Sequence, residues 1–245
     1  MLPCPLRERV GVRGICKIEF KSTLAMQHIE LDYVAPLHRI TLKNNGACSL
    51  AFIAEFTTAL DEIEAAGFPA PLIITGQDKT FSTGFHLEDF FSGDTELRSR
   101  MFSQSIRLLA RVAALPLPTA AAMNGHAFGF GALLALACDW RIMRRDRGFF
   151  CLPELELKVA IPRAMMELLK LKLRPEVLRD LLLSGRRVGG DESASLGIVD
   201  AACPLDELFT RAEAVLRPQA GHDRETLGAI KRELYRQFLY EAADA

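Results

Sequence analysis

The chain has 245 residues, 49% of them hydrophobic and 25% charged, which is the balance of an ordinary globular protein with a sizeable core. Thirty basic residues face thirty-one acidic ones, so no overall field draws in a phosphate backbone and no nucleic-acid partner is expected. Pro116, Pro118, Asn124 and several glycines interrupt the apolar stretch 112–137, so no run reaches the ~18 residues of a membrane span. Residues 1–26 carry Arg7, Arg9, Arg13, Lys17 and Lys21 but no apolar stretch of the secretory kind. They read as an N-terminal extension before a natural start at Met26, with a mitochondrial leader as the alternative. A cytoplasmic location is expected. The C-terminal Ala243-Asp244-Ala245 is not a Ser-Lys-Leu peroxisomal signal.

From residue 27 onward the chain reads as one unit. His28 to Val34 and His38 to Leu42 have the pattern of short strands joined by a turn at Pro36. Ser49 can cap a helix in which Ile53, Phe56, Leu60 and Ile63 share one face, ending at Gly67. Pro71 to Thr75 reads as a buried strand. Leu97 to Ala113 reads as a helix stopped by Pro116 and Pro118. Thr119 to Met123 suits a strand crowded on both faces, Asn124-Gly125 turns the chain, and Gly129 to Cys138 forms a wholly apolar helix. Trp140 to Met143 is a further strand, and helices dominate beyond about residue 163. The alternation predicts an α/β fold with parallel crossovers.

Two glycine-bearing corners place backbone amides where a ligand oxygen could use them. They are Thr80 to Leu87 and Asn124 to Ala132. Amides at a helix N-terminus are unpaired and partly positive, so they suit a phosphate or a developing oxyanion. A tight turn needing small residues explains either corner equally well. The second lacks the spacing of a dinucleotide fingerprint and the Lys-Ser/Thr of a P-loop. Six cysteines without a C-x-x-C pair point to neither zinc nor a disulfide framework, and no metal is expected.

Four stretches in order carry a resemblance. They are FSTGFHL, AMNGHAFGFGALLALACDW, PELELKVAIP and RRVGGDESASLGIVDAACPLDEL. Over Ile29 to Lys231 the chain resembles the enoyl-CoA hydratase/isomerase (crotonase) superfamily. The resemblance implies a spiral of ββα units with a C-terminal helical region that trimerises, giving a homotrimer or a dimer of trimers. It also implies an acyl-CoA thioester substrate and no separate cofactor, since CoA arrives as part of that substrate.

Residue by residue, the resemblance implies that the amides of Phe85 and Phe130 form an oxyanion hole, the latter where relatives usually have Gly. Thr83, His86 and Leu87 are implied CoA contacts, with His86 replacing a common acidic residue. Hydratases of the family use two glutamates. Here Leu133 stands at the first position and Glu154 at the second. A leucine cannot deprotonate water, so the implied activity is a Δ3,Δ2-enoyl-CoA isomerase with Glu154 as base. Another chemistry on the same hole (thioester hydrolysis, decarboxylation, dehalogenation) and a non-catalytic CoA-thioester binder are the alternatives. Apolar Phe149, Phe150, Leu152 and Leu155 should raise the Glu154 pKa. In an extended segment Glu156 would face away from Glu154. Lys158 replaces a usual Gly. His126 is expected to be a satisfied turn histidine, Asp139 a partner of backbone donors, and Cys138 and Cys151 core thiols. Arg141, Arg144, Arg145 and Arg147 are expected on a solvated surface; one of them, or Lys231 or Arg232, could meet a CoA phosphate.

Overall fold

The computed structural model describes residues 26–34, 36–66 and 69–245. The extension before Met26 and the helix stop at Gly67 lie outside the described residues. The strands β1 (Ile29–Val34) and β2 (Leu37–Leu42) form an antiparallel hairpin. Then follow β3 (Ala47–Cys48), α1 (Leu50–Ala65), β4 (Leu72–Gly76), β5 (Thr80–Ser82), β6 (Gly84–Phe85), α2 (Leu87–Phe90) and α3 (Thr95–Ala114). The middle of the chain adds β7 (Thr119–Met123), β8 (His126–Phe128), α4 (Phe130–Ala137), β9 (Trp140–Arg144) and β10 (Phe150–Cys151). The last part is α5 (Arg163–Lys172), α6 (Pro175–Ser184), α7 (Gly190–Ser195), β11 (Ala201–Cys203), α8 (Leu208–Leu216), α9 (Arg224–Leu234) and α10 (Arg236–Ala243).

The sheets show how the chain winds. One sheet runs β1-β2-β4-β7-β9-β11, a second runs β10-β8-β5, and β3 pairs with β6. Among the described residues every strand-to-strand pairing after the first hairpin is parallel, and an isolated antiparallel bridge joins Phe150 to Val188. Each turn therefore places one strand in the large sheet, the next in a small sheet, and then a helix: β4–β5–α3, β7–β8–α4, β9–β10–α5. This is a spiral of ββα units, and the hairpin with β3 and α1 supplies its first turn.

Local chemistry accounts for the element ends. Ser49 Oγ accepts the Phe52 N–H at 3.1 Å and starts α1, whose Phe52, Ile53, Phe56, Ala59, Leu60 and Ile63 are buried. Asp94 accepts the Glu96 and Leu97 amides and starts α3 two residues before the expected point. Strand β7 is small because it is covered on both faces. Ala121 and Met123 belong to the larger core, whereas Ala120 and Ala122 belong to a second core that includes Leu208, Ala212 and Leu216 of α8. All eight residues of α4 are buried. The short strands β3, β5, β6, β8 and β10 and the single-turn α2 carry no periodicity long enough to read from sequence.

The C-terminal helices are fastened to this spiral by a buried ion pair. Lys231 Nζ lies 2.6 Å from Asp139 Oδ2 and also donates to Leu117 O at 2.7 Å. The same Asp139 oxygen accepts the Thr119 N–H at 2.8 Å. Among the described residues no helix is long and apolar enough to cross a membrane.

Candidate active site

A cavity of about 580 Å3, counted with its open mouth, lies where β6, the start of α4, the 153–162 loop and α5 meet. Thr83, Phe85, Leu87, Phe130, Leu133 and Glu154 all line it. His86 does not. Its Nδ1 turns to Asp89 Oδ2 at 3.0 Å, at the exposed start of α2. The expected contact set is thus brought together except for that histidine.

Two of the lining residues, Phe85 and Phe130, have backbone amides that the local strand and helix bonds leave free. In β6 the His86 N–H donates to Cys48 O across the β3 pairing at 2.9 Å. Successive residues of a strand point opposite ways, so the Phe85 N–H turns away from β3. In α4 the first intrahelical bond runs from Leu133 N–H to Gly129 O at 3.1 Å, which leaves the Phe130, Gly131 and Ala132 amides without an intrahelical acceptor. The two segments touch. A Cβ placed on Gly84 would lie 2.9 Å from Phe128 O and 3.7 Å from Phe130 N, and Gly84 holds φ +92. Gly129 holds φ +51 and ψ −116, a conformation that only glycine takes without strain.

The ring of Phe130 lies inside the protein. It packs edge-on against Phe52 at 6.2 Å and beside Phe85 at 5.7 Å, at the boundary of core and cavity. Phe85 in turn stacks on Phe90 at 4.8 Å and meets Phe102 of α3 edge-on at 5.4 Å. Phe90 and Phe102 therefore complete an aromatic wall, with Met165 and Leu169 of α5 on the lining as well. Reading the sequence alone missed all four. The one signal for the α5 pair was their i, i+4 spacing after Pro162.

Among the described residues, Glu154 is the only ionisable side chain on the cavity lining. Burial pushes its carboxyl up from 4.5 to about 7, and only its own backbone amide opposes the shift. Its Oε2 is buried with no hydrogen-bond partner among the described residues. The direction matches expectation, and the neighbours do so in part. Phe149 and Leu155 are exposed, whereas Phe150 and Leu152 are fully buried. The segment is not extended either. Leu157 N–H donates to Pro153 O at 3.0 Å and Val159 N–H to Glu154 O at 2.9 Å, so residues 153–159 form tight turns. Glu156 is still separated from Glu154: it sits beside Gly185, outside the cavity, but because of the turn and not because of strand alternation. Lys158, between two lining residues, holds a left-handed φ of +56.

The match to the family described as enoyl-CoA hydratase/isomerase runs over residues 34–243. The chain belongs to that family. A peroxisomal enoyl-CoA delta isomerase of Arabidopsis thaliana is 33% identical over 174 residues, which is 69% of this chain and 71% of that protein. A putative enoyl-CoA hydratase of Thermus thermophilus is 31% identical over 85% of this chain and 83% of its own length. The crystal structure of human mitochondrial delta3-delta2-enoyl-CoA isomerase superposes with a TM-score of 0.82 at 22% identity, covering 89% of this chain and 87% of that one. That superposition shows the crotonase fold.

Within this enoyl-CoA hydratase/isomerase frame, several other residues prove structural. The arginine run is solvated as expected at Arg145 and Arg147, which are exposed, and half-buried at Arg144; Arg141 alone departs from that expectation. Arg141 is buried, donating to Ile198 O and Cys138 O and pairing with Asp200, while Arg144 and Arg145 pair with Asp146 and Asp191. Lys231 is committed to Asp139 and is no anion ligand. The fourth motif has the same role: Asp200 accepts the Arg141 N–H at 2.7 Å, and Gly190 crosses so close to Arg144 that a Cβ would sit 2.5 Å from its carbonyl oxygen. Cys138 and Cys151 are buried with thiols pushed up to about 12 and about 11, as core thiols should be. His126 sits between the Phe128 and Phe149 rings, its pKa lowered by burial and by Arg147 and Arg187. Its Nδ1 has no hydrogen-bond partner among the described residues, so it is not the satisfied turn histidine expected.

Proposed function

We propose that the chain is a Δ3,Δ2-enoyl-CoA isomerase. The observation that carries the proposal is that, among the described residues, the cavity lining holds one ionisable group, Glu154, with Leu133 where a second carboxylate would be needed to activate water. A thioester carbonyl set against the Phe85 and Phe130 amides would have its enolate oxygen stabilised, each donor contributing about 3–4 kcal/mol. Glu154 takes the proton from C2, the electron pair spreads over C2, C4 and the carbonyl oxygen, and the same carboxyl returns the proton at C4. The double bond moves from C3–C4 to C2–C3 with nothing added or lost.

A pKa near 7 suits both halves of that cycle, because the group must accept and then release a proton near neutral pH. The apolar aromatic wall excludes competing water and accommodates an alkyl tail. Conversion of 3-hexenoyl-CoA by Glu154→Gln tests the assignment. The variant should lose turnover and still bind the substrate, whereas full activity would end the proposal. We also propose a homotrimer or a dimer of trimers, consistent with the exposed apolar Ile230 and Leu234 on α9 (58% and 60%). Light scattering that returned the 27.1 kDa mass of one chain would contradict it.

A further inference from the structure

We propose that Ser82 is a positioning residue that fixes the two carbonyl-binding amides relative to each other; the proposal rests on the reading of those amides given above. Ser82 is completely buried and is not on the cavity lining, so it touches no substrate. Its Oγ donates to Gly46 O at 2.6 Å and accepts the Gly84 N–H at 3.2 Å. The second bond holds the residue directly before Phe85.

The other donor segment packs on the same side chain. A Cβ on Gly131 would lie 2.5 Å from Ser82 Cβ and 2.7 Å from its Oγ, so the first turn of α4 rests against this serine. Gly46 does likewise at 2.9 Å from Ser82 Cβ. Three glycines therefore converge on one buried hydroxyl. Gly46 carries it from the turn before β3, Gly84 from β6, and Gly131 follows Phe130 directly in α4. Two of them, Gly46 and Gly84, also hold positive φ of +60 and +92. Loss of the hydroxyl leaves the Gly84 N–H without its acceptor and removes the bridge that ties β6, next to Phe85, to the turn at Gly46 and to the side chain on which α4 rests. Oxyanion stabilisation depends on both donors pointing at one oxygen, so a shift of this kind is felt in the chemical step more than in binding.

The test compares wild type, Ser82→Ala and Ser82→Cys by kinetics on 3-hexenoyl-CoA and by the infrared carbonyl stretch of bound hexanoyl-CoA labelled at its carbonyl carbon. Wild type should lower the carbonyl frequency on binding. Ser82→Ala should lose about tenfold to a hundredfold in kcat, with KM changed less than about threefold, and should lose much of the frequency shift. Ser82→Cys, with a weaker donor of similar shape, should fall between. If wild type shows no shift, the thioester-amide reading itself fails. If wild type shifts and Ser82→Ala matches it in shift and kcat, the positioning role alone is refuted. Should Ser82→Ala not fold, the Ser82→Cys shift decides: equality with wild type overturns the proposal and a partial loss supports it.

Discussion

Glu154 should make the protein less stable at the pH where it works. Its carboxyl is pushed up from 4.5 to about 7 by burial, so in the unfolded chain it ionises at lower pH than in the folded one. Below about pH 4.5 it is protonated in both states and costs nothing. As pH rises towards 7 the folded state holds the proton longer, and stability falls by about 1.4 kcal/mol per tenfold change in proton concentration. Above the folded pKa the loss levels off at on the order of 3 kcal/mol, an upper figure because the cavity mouth admits some water. Glu154→Gln keeps the shape and removes the charge. Urea unfolding of both proteins from pH 5 to 8.5 should give similar stabilities at the acid end. The gap should widen to as much as about 3 kcal/mol in favour of the variant at the alkaline end, roughly 6–12 °C in Tm. A gap independent of pH, or a variant less stable at pH 8, would refute the burial argument.

Other consequences can be checked with equally simple assays. The kcat/KM for 3-hexenoyl-CoA should rise with pH through an acid limb near 7 as Glu154 deprotonates, and a limb near 4.5 would contradict the shifted pKa. Lys158→Gly removes a left-handed lysine and should stabilise the protein by about 1 kcal/mol in urea melts; destabilisation would show that no strain is held there. Lys231→Met leaves the Asp139 carboxylate buried without its cation and should cost about 3–5 kcal/mol, with a change under ~1 kcal/mol counting against the fastening of α9.

Much of this arrangement was readable before any coordinates. The amphipathic α1, the small-residue β7 and the apolar α4 declare themselves through period, crowding and caps. Glu154, Leu133, Phe85 and Phe130 were reachable because four motifs fall in order along the chain. What stayed hidden lies in tertiary geometry. Segment 153–159 looked extended, yet its backbone closes turns that only the 3.0 and 2.9 Å bonds from Leu157 and Val159 reveal. Arg141 is expected on the surface and Lys231 as a candidate phosphate ligand because charge in sequence carries no sign of burial; each is buried with a carboxylate and a carbonyl oxygen. Phe90 and Phe102 come from separate helices, and no local pattern announces that both meet Phe85.

With one carboxylate beside two amides, the proposed isomerase should move a proton and add no water. Incubation of the wild-type protein with 3-hexenoyl-CoA, followed by chromatography and mass spectrometry of the thioesters, tests it most directly. The account predicts 2-trans-hexenoyl-CoA of unchanged mass as the product. A 3-hydroxyacyl-CoA heavier by one water, or release of free CoA, would contradict it.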